Sequence, residues 1–233
     1  MAAAKKKEVV TYITPPFRGA YLNVFEATQF QGSGRKTFNL CAIFTPADFK
    51  DKPKEKARWD AIQKAVEAAC KEVHGKGVED AVAAAAENEE KFNRALNDGG
   101  KGKRRNQEGF GPGTVWASIK SEYPPGIVGP PKKNGEKPDI ISEEEGNADE
   151  IYPGAYYRAK VTVYAYNKGA QGVALGLRSL QKLKDGPRLD SRGNAQDDFD
   201  EDVDGSYLDQ DEEAVDIETE REDMAAVDGD EDL

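Results

Sequence analysis

A chain of 233 residues with 33 basic and 44 acidic side chains carries a formal charge of −11, but that total describes neither part of the molecule. Residues 197–233 hold 19 acidic side chains against one base, Arg221, a net −18, whereas residues 1–196 carry +7. Two cysteines, Cys41 and Cys70, exclude a disulfide framework, and no apolar run approaches the about 18 residues that cross a bilayer, so neither a disulfide-stapled secreted domain nor a helical membrane protein is expected.

The two ends of the chain set its organisation. Residues 1–7 form a short Ala/Lys arm with no secretory h-region, which predicts a flexible basic arm and an intracellular, reducing location. Residues 191–233 repel themselves and offer little to bury, so a disordered acidic tail is expected there. A basic body on an acidic tail suggests a polyanion-binding surface for which the tail competes.

Between them, residues 8–190 read as one mainly β domain. Residues 20–26 alternate in character and carry β-branched and aromatic side chains, which predicts a strand; the Gly-containing stretch 31–36 is its turn. A second strand follows over 37–44, with Phe38, Leu40, Ala42 and Phe44 on one face, closed by Pro46. From Pro53 the period lengthens: Trp59, Ile62, Val66, Ala69, Cys70 and Val73 mark an amphipathic helix ended by Gly75. An Ala-rich helix over 78–96 is expected next, stopped at Asn97-Asp98-Gly99-Gly100. Neither helix has the apolar bulk for a core of its own, so residues 53–98 read as an insertion between strands.

A Gly-rich basic loop over 101–113 leads to a third strand at 114–121, which places Trp116, Ser118 and Lys120 on one face. After the Pro/Gly/Lys loop 124–139, residues 156–166 give the clearest β signal: Ala159, Val161, Val163 and Ala165 alternate with Tyr156, Arg158, Lys160, Thr162, Tyr164 and Tyr166. A last strand sets Val173, Leu175, Leu177, Ser179, Gln181 and Leu183 against Ala174, Gly176, Arg178, Leu180 and Lys182. Five strands with a helical insertion predict a five-stranded OB-like Greek-key barrel.

Catalytic and metal chemistry find little support. The sole histidine, His74, falls at a helix C-terminus, where a basic side chain is favoured by the dipole. Cys70 and His74 are spaced i, i+4, but two ligands do not close a zinc site. The run from Gly32 to Thr37 lacks the GK[ST] step of a phosphate loop and joins two strands, and Gly109 to Gly113 lacks the dinucleotide fingerprint. Residues 200–205 match half a calcium loop, yet position twelve is Asp211 and no amphipathic helix flanks it. Acids such as Glu122 are scattered without metal-binding spacing. No enzyme activity, cofactor or metal is expected.

The aromatic and basic strand faces point elsewhere. Sequence-independent binding of single strands needs cations that follow phosphates and flat rings on which any base stacks. The other reading of the same pattern is that Tyr156, Tyr164 and Tyr166 lie under the helical pair. Arg158 and Lys160 argue against complete cover, since buried unpaired cations are costly.

The run IYPGAYYRAKVTVYAY over 151–166, followed by GVALGLRSLQKLKDG over 172–186 and joined by YLNVF at 21–25, resembles a family of bacteriophage single-stranded DNA-binding proteins. The resemblance implies an OB-fold that coats single-stranded DNA in phage replication and recombination, within the cytoplasm of the infected bacterial host. It further implies an acidic tail that contacts phage or host DNA polymerase, helicase or recombination proteins, and self-association along DNA. The residues expected to meet DNA are Tyr21, Phe25, Arg35, Lys36, Phe110, Trp116, Lys120, Arg158, Lys160, Tyr164, Tyr166, Arg178 and Lys182, with the last two strands supplying most of the surface. The rival reading is a scaffold protein that assembles through its basic body and acidic tail.

Overall fold

The computed structural model describes residues 9–29, 35–133 and 135–190. The basic arm, the acidic tail with its half calcium loop, and Gly32 to Gly34 of the Gly-rich turn lie outside the described residues. Among the described residues, nine strands and two α-helices follow in chain order: β1 (Thr11–Ile13), β2 (Phe17–Gln29), β3 (Lys36–Phe44), α1 (Pro53–His74), α2 (Val78–Glu87), β4 (Phe92–Asn93), β5 (Asn97–Asp98), β6 (Val115–Ser121), β7 (Gly126–Val128), β8 (Tyr156–Tyr166) and β9 (Gln171–Lys184).

Five of these strands close on themselves. β2 pairs antiparallel with β3, β3 with β6, and β8 with both β9 and β2, while β6 and β9 run parallel. The ring β2-β3-β6-β9-β8 is the expected five-stranded Greek-key barrel with the helices inserted between its second and third strands. β1 extends the β2 edge of β8, and the short β4, β5 and β7 pair at the margins of β9 and β6.

Alternation along the strands fills the barrel. Phe17, Val24, Leu40, Phe44, Ile119, Tyr157, Val161, Leu175, Leu177 and Leu180 point inward and are buried. Helix α1 plugs this core: Trp59, Ile62, Val66 and Cys70, spaced three and four apart, lie on one buried stripe, with the Trp59 ring 5.0 Å from Phe44. Pro53 starts α1 at its first turn, and Gly75 ends it in the left-handed conformation at φ +70°, where a side chain would be strained.

Helix α2 stops at Glu87, short of the expected Leu96. Glu87, Glu89 and Glu90 cluster at a helix C-terminus, where the dipole disfavours carboxylates, and Glu89 takes φ +59°. The chain then extends, so that Phe92 enters the core and β4 pairs with the start of β9. Among the described residues no helix is long and apolar enough to cross a membrane.

Four register slips re-aim side chains, two in β2 and two between β8 and β9; the second in β2 lies between the pairs Asn23 with Asn39 and Thr28 with Thr37. Ala20 faces Cys41 and Asn23 faces Asn39, so β2 carries one residue more than β3 over this step, and Tyr21 adopts φ +50°. On β9, Lys160 faces Ser179 while Val161 faces Leu177, which leaves Arg178 as an extra residue. The fourth slip separates the pairs Tyr156 with Lys184 and Tyr157 with Lys182. Because the side-chain period is two, the bulge at Arg178 turns Leu180 and Lys182 to the opposite face, and the slip at Leu183 returns Lys184 to the outside.

Candidate nucleic-acid interface

The outer face of β2, β3 and β6 is not plain solvent surface. Ala20, Cys41 and Ile43 form a small apolar cluster there, on which Phe110, Trp116 and Leu189 pack from the loop 101–113, from β6 and from the segment that follows β9. The basic loop thus folds back over the barrel instead of projecting from it. Its Arg104 lies within a cage of rings: the guanidinium carbon is 4.5 Å from the centroid of Trp116, 4.9 Å from Tyr21 and 5.6 Å from Phe110. Arg104 Nη1 also donates to Cys41 Sγ at 3.1 Å, and the Tyr21 hydroxyl donates to Gln107 Oε1 at 2.9 Å. Burial pushes the Cys41 thiol up to about 11, although Arg104 pulls the other way, so the thiol is neutral near pH 7.

Beside this cage runs a hollow of about 260 Å³ lined by Tyr21, Asn23, Thr28, Thr37, Asn39, Cys41, Arg104, Ser118 and Lys120. Its floor is a polar ladder. Asn23 Nδ2 donates to Asn39 Oδ1 at 3.1 Å, and Asn39 Nδ2 donates to Thr28 Oγ1 at 2.9 Å and to the Thr37 carbonyl at 3.1 Å. The hollow offers rings at one end, neutral hydrogen-bonding groups along its base and the cations Arg104 and Lys120 at its sides. Such a surface takes flat rings and phosphates without reading a particular base.

Four of the expected DNA-contacting residues meet here: Tyr21, Phe110, Trp116 and Lys120. Arg35 and Lys36 stand exposed at the far end of β3, with Arg35 Nη1 bonded to Glu122 Oε1 at 2.9 Å. Phe25, by contrast, is half-buried against the main core, because the extra residues of β2 rotate it off the groove face.

The last two strands supply less than expected. Tyr164 and Tyr166 do share the outer face, their rings 6.3 Å apart, and Gly176 opposite Thr162 leaves Tyr164 room to lie across β9. Register places Gly176 beside Lys120, so these rings continue the band around the barrel from β6. Tyr164 remains about half exposed, and desolvation raises its hydroxyl's pKa. Lys160 and Arg178 are exposed on the outer face. Arg158 is half-buried and gives its Nε hydrogen to Gln181 Oε1 at 2.8 Å.

Lys182 is buried inside, with its ammonium 2.8 Å from Asp185 and 3.8 Å from Glu150. Simple alternation sets Leu180 and Lys182 outward with Arg178; the bulge at Arg178 turns both inward, and Lys182 serves as a structural cation. Asn23, Asn39 and Arg104 were not among the expected contacts. Asn39 sits within an apolar-looking strand, and only its partners across the ladder reveal it; for Arg104 the basic loop was visible but not its return onto Trp116.

Among the described residues no group of three His, Cys, Asp or Glu side chains is placed to hold a metal ion. His74 packs edge-on to Phe92 at 5.2 Å and does not line this groove.

The family model described as the Enterobacter phage Enc34 single-stranded DNA-binding protein matches residues 9–214. Among solved structures, the single-stranded DNA-binding protein from bacteriophage Enc34 in complex with single-stranded DNA aligns with a TM-score of 0.55 and 15% identity, covering 81% of this chain and 97% of that one. The same phage protein without DNA gives 0.55 and 16%, covering 88% and 96%. No curated protein sequence matches. The structural likenesses establish the fold, and the family is one of DNA-binding proteins rather than enzymes. With the family model spanning most of its length, this chain belongs to the family of the Enterobacter phage Enc34 single-stranded DNA-binding protein.

Proposed function

We propose that this protein binds single-stranded DNA without sequence preference, in the groove across β2, β3 and β6. The observation that carries the reading is the Arg104 guanidinium held among Tyr21, Phe110 and Trp116 at the end of a neutral polar ladder. Rings and cations at fixed spacing on a barrel face are what sequence-tolerant stacking requires, at about 1 to 3 kcal/mol per base. Trp116, Tyr21 and Phe110 stack bases; Arg104 and Lys120 meet phosphates; Tyr164, Tyr166, Lys160 and Arg178 extend the path around β9 and β8.

The protein coats single-stranded DNA during phage replication and recombination in the cytoplasm of the infected bacterium. Its acidic tail, net −18 against a body of +7, competes with DNA for the groove at high effective concentration. DNA binding then frees the tail for a polymerase, helicase or recombination protein, and neighbouring copies associate along the strand. Titration of a fluorescent oligo-dT and of a duplex of equal length tests the core of the proposal. Tighter binding of oligo-dT is expected, and equal or tighter binding of the duplex refutes it.

A further inference from the structure

On the same outer surface lies a second and larger hollow, of about 490 Å³, separated from the first by the ridge that Phe110 and Leu189 form over Ile43. Four of the residues bordering it make one straight cross-strand row. Ile43 of β3 faces Arg18 of β2, Arg18 faces Tyr156 of β8, and Tyr156 faces Lys184 of β9. The row therefore sets a flat ring between two cations at the fixed spacing of neighbouring strands, with Lys52 bordering the hollow from the start of α1.

The row is braced. Arg18 Nε donates to the Gly154 carbonyl at 3.2 Å and its Nη2 to the Pro187 carbonyl at 2.6 Å, which fixes the guanidinium while leaving further N–H groups to donate. Gly186 backs the Tyr156 ring so closely that a Cβ there would come within 2.9 Å of it. The Lys184 ammonium rests 4.4 Å from the ring centroid, on an exposed and flexible side chain. Asp48 and Glu55 edge the helix side, and Glu55 is already held by Arg58, whose Nη1 reaches its two oxygens at 2.8 and 2.9 Å.

We infer that Arg18, Tyr156 and Lys184 form a second subsite for single-stranded DNA, taking a base over Tyr156 and its phosphates on Arg18, Lys184 and Lys52. The inference rests on the groove reading above, because the row begins two cross-strand pairs beyond Ala20 and Cys41, on the same face of the same ladder. A strand lying in the first groove reaches it by crossing the Phe110–Leu189 ridge. Short oligonucleotides fill the groove alone, and only longer ones reach the row.

The test measures the affinity of the full chain for oligo-dT of about 5 and about 16 nucleotides, near the two ends of the site sizes of OB-folds. Lys184→Gln should weaken the long oligonucleotide about 5-fold at 0.1 M salt and make its salt slope shallower by about 0.7, the loss of one phosphate contact. The short oligonucleotide should bind as before. Tyr156→Leu should weaken the long oligonucleotide selectively and Tyr156→Phe should restore it, with melting curves recorded for each variant. Equal losses at both lengths, or none at either, overturn the subsite while leaving the groove reading intact. Tighter binding of the long oligonucleotide by Lys184→Gln would mean that the row holds the chain's own acidic tail, which also overturns it. A wild-type chain that binds neither oligonucleotide overturns the groove reading and the subsite together.

Discussion

Replacing Trp116 by leucine should remove most of the base stacking in the first groove while preserving an apolar side chain over Cys41 and Ile43. Trp116 is half-buried, its ring 6.5 Å from Phe110 and 4.5 Å from the Arg104 guanidinium, so both a stacking surface and one wall of the cation cage are lost. At about 1 to 3 kcal/mol for one stacked base, the Kd for oligo-dT should rise about 5- to 150-fold. The loss should come with little change in salt slope, since tryptophan neutralises no phosphate. Lys120→Gln should do the reverse, with a modest loss in affinity and a slope shallower by about 0.7. Fluorescence anisotropy over a salt series reads both quantities. The protein's own fluorescence adds a second readout, because Trp59, on the buried face of α1, is only 7% exposed and the DNA-induced change should arise from Trp116. A Trp116→Leu variant with an unchanged melting temperature that binds oligo-dT as tightly as wild type, with the fluorescence response persisting, would refute the placement of the interface.

Three further outcomes follow from the structure. Gly19→Ala would place a Cβ 2.7 Å from Cε2 of the buried Tyr157 ring, and such overpacking should cost about 1 to 3 kcal/mol, read as a lower denaturant midpoint. Lys182→Gln should lower stability and leave affinity for short oligo-dT unchanged; equal stability, or weaker binding, would contradict the inward placement. Hydrogen bonds from Lys182 and Tyr152 hold the Asp185 carboxyl below its usual value, so their stabilisation is present above about pH 4. The stability gap between wild type and Lys182→Gln should therefore shrink as pH falls through that lowered value, as acid titrations of the folding midpoint can show. Stopping the chain after Gln196 removes the net −18 and should tighten DNA binding most at low salt, with the truncated body showing the steeper salt dependence. Identical affinity and slope in both chains would reduce the tail to a solubiliser.

Much of this protein is set by local pattern, and the sequence carried it unaided. The two-residue period of 37–44, 114–121 and 156–166 separates Leu40, Ala117 and Val161 from Asn39, Trp116 and Tyr164, because a strand with one buried face tolerates no other register. The three-and-four spacing of Trp59, Ile62, Val66 and Cys70 fixes α1 and its buried stripe, and the charge division between body and tail needs no fold to be seen. What tertiary structure alone decided begins where periodicity breaks. A bulge is one residue without a fixed sequence signature, yet the one at Arg178 turns Lys182 from a surface cation into a buried one, and the slips in β2 bring Tyr21 to the groove and send Phe25 to the core. The end of α2 depended on Phe92 finding a place in the core, which no local propensity contains. The return of loop 101–113 onto Trp116, and the row Ile43, Arg18, Tyr156 and Lys184, join residues up to 166 positions apart in the chain. Such contacts exist only once the barrel has closed, because the position of each strand is set by its neighbours in the ring and not by its own side chains.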